Sequence, residues 1–207
     1  MPLSDAPARV QRAIPAILVA GFRGGGKSSV IASLVAQRAP GETWAVIGNG
    51  AVGGPGVVAQ AVAPDCLCCT GLLAFRVGLT RLLRRTARMP PALLLIEGGP
   101  EGHVESVRAA LAAAVFTPLL RLERVLGVFD PRWFSNPVPA AEAALRHLGA
   151  GVDAIICNKA DMADDELRVR VGTYLALLDP PRPAVWARDG VVALDFARQA
   201  VIDGIAE

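Results

Sequence analysis

The sequence predicts an α/β fold in which a mostly parallel central sheet carries helices on both faces. Apolar runs of strand length alternate along the chain with longer segments of helical periodicity. Most of the strand-like runs lead into Gly, Asp or Asn, as is usual where a strand passes into a βα loop. Because 53% of the 207 residues are apolar and only 5% are aromatic, we expect one large, mainly aliphatic core and treat residues 1–207 as a single domain.

Six strands and six helices follow from this pattern, each strand being followed by one helix. A sheet built from such units is parallel, because a helix returns the chain to the same starting edge each time. The strands are predicted at 14–20, 43–47, 92–96, 125–129, 154–157 and 184–186, and the helices at 27–38, 72–89, 104–114, 140–148, 164–178 and 194–205.

The first strand leads into a phosphate-binding loop. Residues 21–28 read GFRGGGKS and fit the pattern G-x-x-x-x-G-K followed by Ser or Thr, between a strand and a helix. Glycine leaves no side chain in the way, so consecutive backbone amides can surround a phosphate. Lys27 is expected to neutralise the β and γ phosphates, Ser28 to bind Mg²⁺, and Ser29 to reach the α phosphate. The residues predicted to bind the nucleotide here are Gly24, Gly25, Gly26, Lys27, Ser28 and Ser29.

A second motif, NKAD, follows the strand predicted at 154–157 and indicates that the base is guanine. The Asp161 carboxylate can accept hydrogen bonds from the guanine N1–H and exocyclic amine, groups that adenine does not present in this arrangement. Asn158 and Lys159 complete the motif. Alone the tetrapeptide is weak, and a polar surface loop is the alternative; together with the phosphate loop it favours GTP.

An acidic residue at the end of another strand is the third expected part. LLLIEGG supplies Glu97, which we predict to hold Mg²⁺ through a water molecule and to act with Lys27 as a catalytic residue. The alternative is that Glu97 caps the helix that follows.

Three of the four cysteines form a C-x-C-C cluster: Cys66, Cys68 and Cys69. The sequence has no apolar segment of signal-peptide length near its start and none that would span a bilayer, so we expect a cytoplasmic protein whose thiols stay reduced. Clustered thiolates then favour a metal such as Zn²⁺ or Co²⁺, with reversible thiol chemistry or simple packing as alternatives. Cys157 ends an apolar strand and is expected to be a buried structural residue.

The order GFRGGGKSS, CLCC, IEGG and NKAD resembles the CobW-like family of P-loop GTPases, whose members are linked to metal insertion and homeostasis. The resemblance implies a P-loop NTPase fold, GTP with Mg²⁺ at the loop and NKAD, and a metal at the three thiols. VFDP, with Asp130, resembles a strand end of that family. Residues 177–185 loosely resemble its last loop and strand.

The sequence departs from the family in three places. The family's C-terminal domain, often rich in histidine, is not recognisable, and the chain contains only His103 and His147. The first-switch region reads IGNGAVGGPG, in which Asn49 matches the family but no carboxylate does. The family's Walker B segment ends E-x-x-G, whereas three residues after Glu97 stands Pro100, which has no N–H to donate to the γ phosphate. Slow or absent GTP hydrolysis is therefore expected.

The missing carboxylate leaves the fourth metal ligand open. Candidates are Asp65, Glu101, His103, water, or a cysteine of a second molecule, which would make the protein a homodimer.

The leading hypothesis is a GTP-binding metallochaperone or metal regulator that serves a client metalloprotein. A degenerate G domain that only binds nucleotide, metal or a partner is the alternative, and a small-molecule kinase is a third. The net charge of +2 gives no reason to expect nucleic acid, and no membrane partner is expected. The arginines at 81, 84, 85 and 88 fit a solvated helix face.

Overall fold

The computed structural model describes residues 12–50, 52–62, 70–99, 103–135 and 139–199. These residues form one seven-stranded sheet, six α-helices and two short 3₁₀ helices, at Pro131–Phe134 and Ala160–Met162. The strands are β1 (Ile14–Gly21), β2 (Trp44–Gly48), β3 (Val57–Ala61), β4 (Leu93–Glu97), β5 (Leu120–Phe129), β6 (Ala154–Cys157) and β7 (Ala184–Trp186). The helices are α1 (Lys27–Ala36), α2 (Thr70–Thr86), α3 (Val104–Leu111), α4 (Pro139–Gly151), α5 (Asp165–Ala176) and α6 (Leu194–Arg198).

The sheet has the order β3-β2-β4-β1-β5-β6-β7, and each of its neighbouring strands pairs in parallel. This confirms the predicted α/β fold. The central strand β1 lies between β4 and β5, so the loops that follow these three strands meet at the carboxyl edge of the sheet. In parallel sheets this edge is where ligands usually bind.

Each face of the sheet has its own apolar core, which confirms helices on both faces. Side chains alternate along β1: Leu18 faces the larger core with α2, α3, α4 and α5, whereas Ile17 faces the smaller core with α1 and α6. The buried residues of the two cores are mainly aliphatic, as the composition predicts, with four phenylalanines and Trp44 among them.

Strand β3 was not predicted. It follows the glycine-rich segment 48–56, lies at the edge of the sheet, and is only half-buried, so its sequence carries little apolar signal. A distant residue fixes the loop before it: the guanidinium of Arg38, two residues after α1, donates to the Pro55 carbonyl at 2.9 Å and also to the Glu42 carbonyl. Hydrogen bonds of this kind, between residues far apart in the sequence, cannot be predicted from a local sequence pattern.

Strand β5 begins at Leu120, five residues before the predicted start, because charged residues conceal its first half. Leu120 pairs with Ile14, and a register shift follows between Ala16 and Ile17. Arg124, in this hidden half, is only 3% exposed, and its guanidinium lies 6.0 Å from the ring of Phe196 on α6.

The predicted helices are found, with shifted ends. The helix predicted at 194–205 is described as α6, which ends at Arg198, and its remainder lies largely outside the described residues. Among the described helices, none combines the length and the apolar character that a membrane crossing requires.

Candidate functional site

The phosphate loop connects β1 to α1 with a backbone that needs glycine. Gly26 directly precedes α1 with φ of 99°, and a Cβ atom there would lie 2.0 Å from Asn158 Nδ2. Gly21, with φ of 138°, approaches β5 so closely that a Cβ atom would lie 2.0 Å from the Val128 carbonyl oxygen. Both positions therefore exclude any larger residue, and the loop lies tightly against β5 and the NKAD motif.

Lys27 is folded back onto the phosphate loop. Its ammonium donates to the Gly21 carbonyl at 2.8 Å and to the Phe22 carbonyl at 3.1 Å, and the residue is 8% exposed. Burial lowers the pKa of Lys27, an effect that the Glu97 carboxylate opposes and the Arg23 charge strengthens. The ammonium is thus held against the phosphate loop by two backbone carbonyls.

Ser28 and Glu97 meet, although 69 residues separate them. The Ser28 hydroxyl donates to Glu97 Oε1 at 2.6 Å, joining the start of α1 to the end of β4. Glu97 is buried and belongs to β4, and α3 has His103 as its N-cap residue, so Glu97 is not that helix's cap. A hydroxyl and a carboxylate side by side are the oxygen donors that Mg²⁺ prefers.

The first-switch region contacts the same carboxylate. The Gly50 amide lies 3.5 Å from Glu97 Oε2, and a Cβ atom on Gly48 would lie 2.4 Å from Glu97 Cβ, so only glycine fits at the end of β2. The Gly48 carbonyl accepts a hydrogen bond from the Val62 amide at 3.0 Å. Val62, the first residue after β3, therefore bonds to the same Gly48 that packs against Glu97.

Asn158 connects three loops at the carboxyl edge. Its side-chain amide donates to the Gly25 carbonyl at 3.0 Å, while its Oδ1 accepts from the Gly190 amide at 2.8 Å. The residue is 2% exposed. The phosphate loop, the NKAD motif and the loop after β7 are thus fixed to one another by a single buried side chain.

Lys159 lies along the phosphate loop and is anchored by Asp130. Its ammonium donates to the Gly24 carbonyl and to Asp130 Oδ2, both at 2.8 Å. Asp130 also accepts from the backbone amide and the guanidinium of Arg132. Burial alone would raise the pKa of this carboxyl, but the bonds from Arg132 and Lys159 outweigh burial and lower it to about 2.

Asp161 projects into solvent beside these groups. It lies in the 3₁₀ helix Ala160–Met162, it is exposed, and no described residue donates a hydrogen bond to its carboxylate. The Ala160 amide donates to the Ala187 carbonyl at 2.9 Å, which holds the motif against the end of β7. The Asp161 carboxylate therefore has its acceptor positions available to a ligand.

Sequence reasoning missed two parts of this site. In the sequence Asp130 marks only a strand end, whereas in the structure it bonds to Lys159 of the NKAD motif. The loop after β7 was not singled out: Gly190, with φ of 76°, approaches α1 so closely that a Cβ atom would lie 2.5 Å from the Ser29 carbonyl carbon. The adjacent Asp189 and Gly190, both at positive φ, mark a tight turn, and the Asp-Gly pair was the signal available in the sequence.

The predicted metal ligands cannot be placed in the same way. Cys66, Cys68 and Cys69, with Asp65 and Glu101, lie outside the described residues, as does Pro100. Within the described ranges, no group of three or more His, Cys, Asp or Glu side chains is arranged to hold a metal ion. His103 is half-buried at the start of α3.

Cys157 is fully buried in the larger core. Burial raises the pKa of its thiol to about 12, with a smaller opposing effect from Arg168. A thiol in that state is neither a ready metal ligand nor a nucleophile, so the predicted structural role is confirmed.

The parallel sheet, the glycine loop before α1 and the Ser28–Glu97 pair together define a P-loop nucleotide-binding protein. Comparison with known families agrees: residues 15–182 match the model described as CobW/HypB/UreG, nucleotide-binding domain. The chain belongs to that family. The resemblance stated from the motifs is thereby confirmed.

Among curated proteins, the chain is 34% identical over 158 residues to the zinc chaperone YeiR of Escherichia coli (strain K12). The match covers 72% of this chain and 47% of YeiR, so the chain spans about half the length of that relative.

Two kinds of solved structure share the fold. The Zn(II)-bound YjiA GTPase from E. coli has a TM-score of 0.51 at 17% identity, covering 84% of this chain and 57% of that one. HypB from Helicobacter pylori in complex with nickel has a TM-score of 0.57 at 15% identity, and the match covers 89% of this chain and 84% of the HypB chain.

Proposed function

We propose that this protein is a GTP-binding metallochaperone or metal-homeostasis protein, with Mg²⁺-GTP at the phosphate loop and NKAD and a soft or borderline metal at the C-x-C-C motif. The observation that supports the proposal is that Val62, four residues before Cys66 in the sequence, donates through its amide to the Gly48 carbonyl, and that Gly48 packs against Glu97, the carboxylate proposed for Mg²⁺. The relation to YeiR, named a zinc chaperone, favours Zn²⁺ over Co²⁺.

The nucleotide half of the proposal rests on the fit of the residues to GTP. The exposed Asp161 carboxylate accepts from the guanine N1–H and amine, and the neighbouring Lys159 ammonium donates to the Gly24 carbonyl of the phosphate loop. Lys27 exchanges its two carbonyl partners for the β and γ phosphates.

Ser28 and Glu97 hold Mg²⁺ in this proposal, the first directly and the second through a water. Bound there, Mg²⁺ supplies positive charge to the phosphate oxygens. The fit rests on the Ser28 hydroxyl and the buried Glu97 carboxylate, two oxygen donors that lie 2.6 Å apart.

The metal half rests on the chemistry of three closely spaced thiolates. Zn²⁺ binds thiolate sulfur strongly, and a fourth ligand comes from Asp65, Glu101, His103, water or a second molecule in a homodimer. We propose a cytoplasmic location, where these thiols stay reduced, and a client metalloprotein as the recipient of the metal.

Replacing the three clustered cysteines is expected to remove the metal. Protein purified with Cys66, Cys68 and Cys69 all changed to Ser should contain close to no zinc or cobalt by elemental analysis, whereas the wild type contains a stoichiometric amount. Cys157→Ala is the matched control, because the Cys157 thiol is buried and protonated, and this variant should keep its metal. Unchanged metal content in the triple variant would contradict the metal site while leaving the nucleotide site untouched.

GTP turnover is expected to be slow. The segment 43–64 contains no Asp or Glu that would serve as a first-switch carboxylate, and Pro100 lacks the amide that senses the γ phosphate. Phosphate release from Mg²⁺-GTP by the wild type should be barely above background, and Pro100→Gly should raise it because this change supplies an N–H. Ordinary turnover by the wild type would refute the expectation. If neither the wild type nor Pro100→Gly hydrolyses GTP while both still bind it, the result would favour the degenerate G domain.

A further inference from the structure

We propose that a groove at the amino edge of the sheet, opposite the phosphate loop, binds an acidic amphipathic segment of a partner protein. The groove has a volume of about 290 Å³. Its walls come from α2, from the start of β1 and from the chain between α3 and β5. This surface is separate from the nucleotide site, and the proposal does not rest on GTP or metal binding.

The floor of the groove is apolar. Leu83 and Phe116 lie at its base, and Val115 and Leu119 remain 58% and 38% exposed on its side. Exposed aliphatic side chains that line a concave surface, rather than being scattered singly, indicate a binding site for an apolar partner group. A cavity of this size suits one or two large apolar side chains.

The rim of the groove is strongly basic. Arg12 and Arg84 line it directly, and two adjoining hollows, which share residues with it, add the other arginines. Among the described residues that line the three hollows there is no Asp or Glu. The full set of rim arginines is Arg12, Arg76, Arg81, Arg84, Arg88 and Arg121.

This concentration of charge is local and largely uncompensated. The whole chain carries a net charge of only +2. Of the rim arginines, Arg121 is paired with Glu123, and the others form no ion pair with a described carboxylate. A solvated helix face, as expected from sequence, would mix both signs of charge, but α2 has no acidic residue. Charge complementarity therefore calls for an acidic partner.

The apolar floor favours an acidic protein segment as the ligand over single-stranded nucleic acid or an anionic membrane. Binding of single-stranded nucleic acid relies on exposed aromatic rings, whereas the one aromatic residue in the groove, Phe116, is 2% exposed. A membrane requires a protruding apolar face, whereas this apolar surface is recessed between arginines. A helix or strand with alternating acidic and aliphatic residues satisfies both the rim and the floor.

The test is selection of a random peptide display library on the purified full chain. We expect the enriched peptides to combine Asp or Glu with Leu, Ile or Phe, and their affinity to fall as salt is raised. The double variant Arg81→Glu and Arg84→Glu should lower the affinity of a selected peptide by about tenfold or more. Arg146→Glu, an exposed arginine on α4 away from the groove, is the matched control and should bind normally.

A second variant separates the apolar contribution from the charge. Val115→Ser leaves the rim intact and should also weaken the selected peptide, while Val169→Ser, at an exposed site on α5, should not. The proposal is overturned if no acidic amphipathic peptide is enriched, or if the enriched peptides bind both groove variants as well as wild type. Tight binding of polyuridylate or of phosphatidylserine vesicles, lost in the double variant, without peptide binding would assign the groove to those ligands instead.

Discussion

Asp161→Asn is expected to turn the nucleotide site away from guanine and toward xanthine. In the proposed site the carboxylate accepts from the guanine N1–H and amine, whereas an asparagine presents one donor and one acceptor. GTP would then face the amide N–H₂ with its own amine, and its affinity should fall on the order of a hundredfold or more. Xanthosine triphosphate carries an oxygen at that ring position, so it should bind the variant better than the wild type.

The measurement is titration of both nucleotides, as non-hydrolysable analogues with Mg²⁺, against both proteins. Asp195→Asn, at an exposed aspartate in the first turn of α6, is the control and should leave GTP affinity unchanged. A variant that keeps full GTP affinity would show that Asp161 does not read the base, and the guanine assignment would then be lost.

Asp130→Asn is expected to destabilise the fold by about 2 kcal/mol at neutral pH. Asp130 is 3% exposed and accepts from both Arg132 and Lys159. The asparagine keeps the shape but leaves the two cations without their counter-charge. Urea unfolding at neutral pH measures the loss. Glu105→Gln, which removes a largely exposed ion pair with Arg108, should change the free energy of unfolding by no more than about 1 kcal/mol.

The lowered pKa of Asp130 predicts that the stability of the fold depends on pH in the acidic range. The pKa of this carboxyl in the folded protein is about 2, against an ordinary value of 3.8. A group whose pKa is lowered by folding contributes stability above its unfolded pKa and loses that contribution as the pH falls toward the folded value. The difference in unfolding free energy between wild type and Asp130→Asn should therefore shrink between pH about 4 and about 2. A difference that stays constant over this range would contradict the network.

Most of the fold follows from the sequence because the parallel sheet leaves a clear periodic signal. The strands buried on both faces, such as β4 and β6, are short unbroken apolar runs. Strand β3 and the first half of β5 do not follow from the sequence, each for a different reason. The former lies half-exposed at an edge, and the latter carries Arg121, Glu123 and Arg124, whose charges conceal a strand in the sequence.

The site shows the same division. Lys27, Ser28 and Asn158 lie in the segments that follow β1 and β6, at the carboxyl edge of the sheet, because the sequence of each motif determines the local backbone and the preceding strand determines the edge. Their binding roles stay predictions. That Ser28 touches Glu97 is consistent with the predicted magnesium site, but the distance between them is a property of the fold. The roles of Asp130 and Gly190 depend on contacts across 29 and 32 residues, and the motifs do not encode them.

The Asn158 side chain has a consequence for how a nucleotide would be read. Asn158 belongs to the NKAD motif, proposed to bind the base, and its buried amide bonds to Gly25 of the phosphate loop and to Gly190, so the protein's own contacts fix the distance between the two proposed binding elements. We therefore expect guanosine alone, or triphosphate alone, to contact only one of these two elements, and a nucleotide of matching length to contact both without a change in the protein backbone.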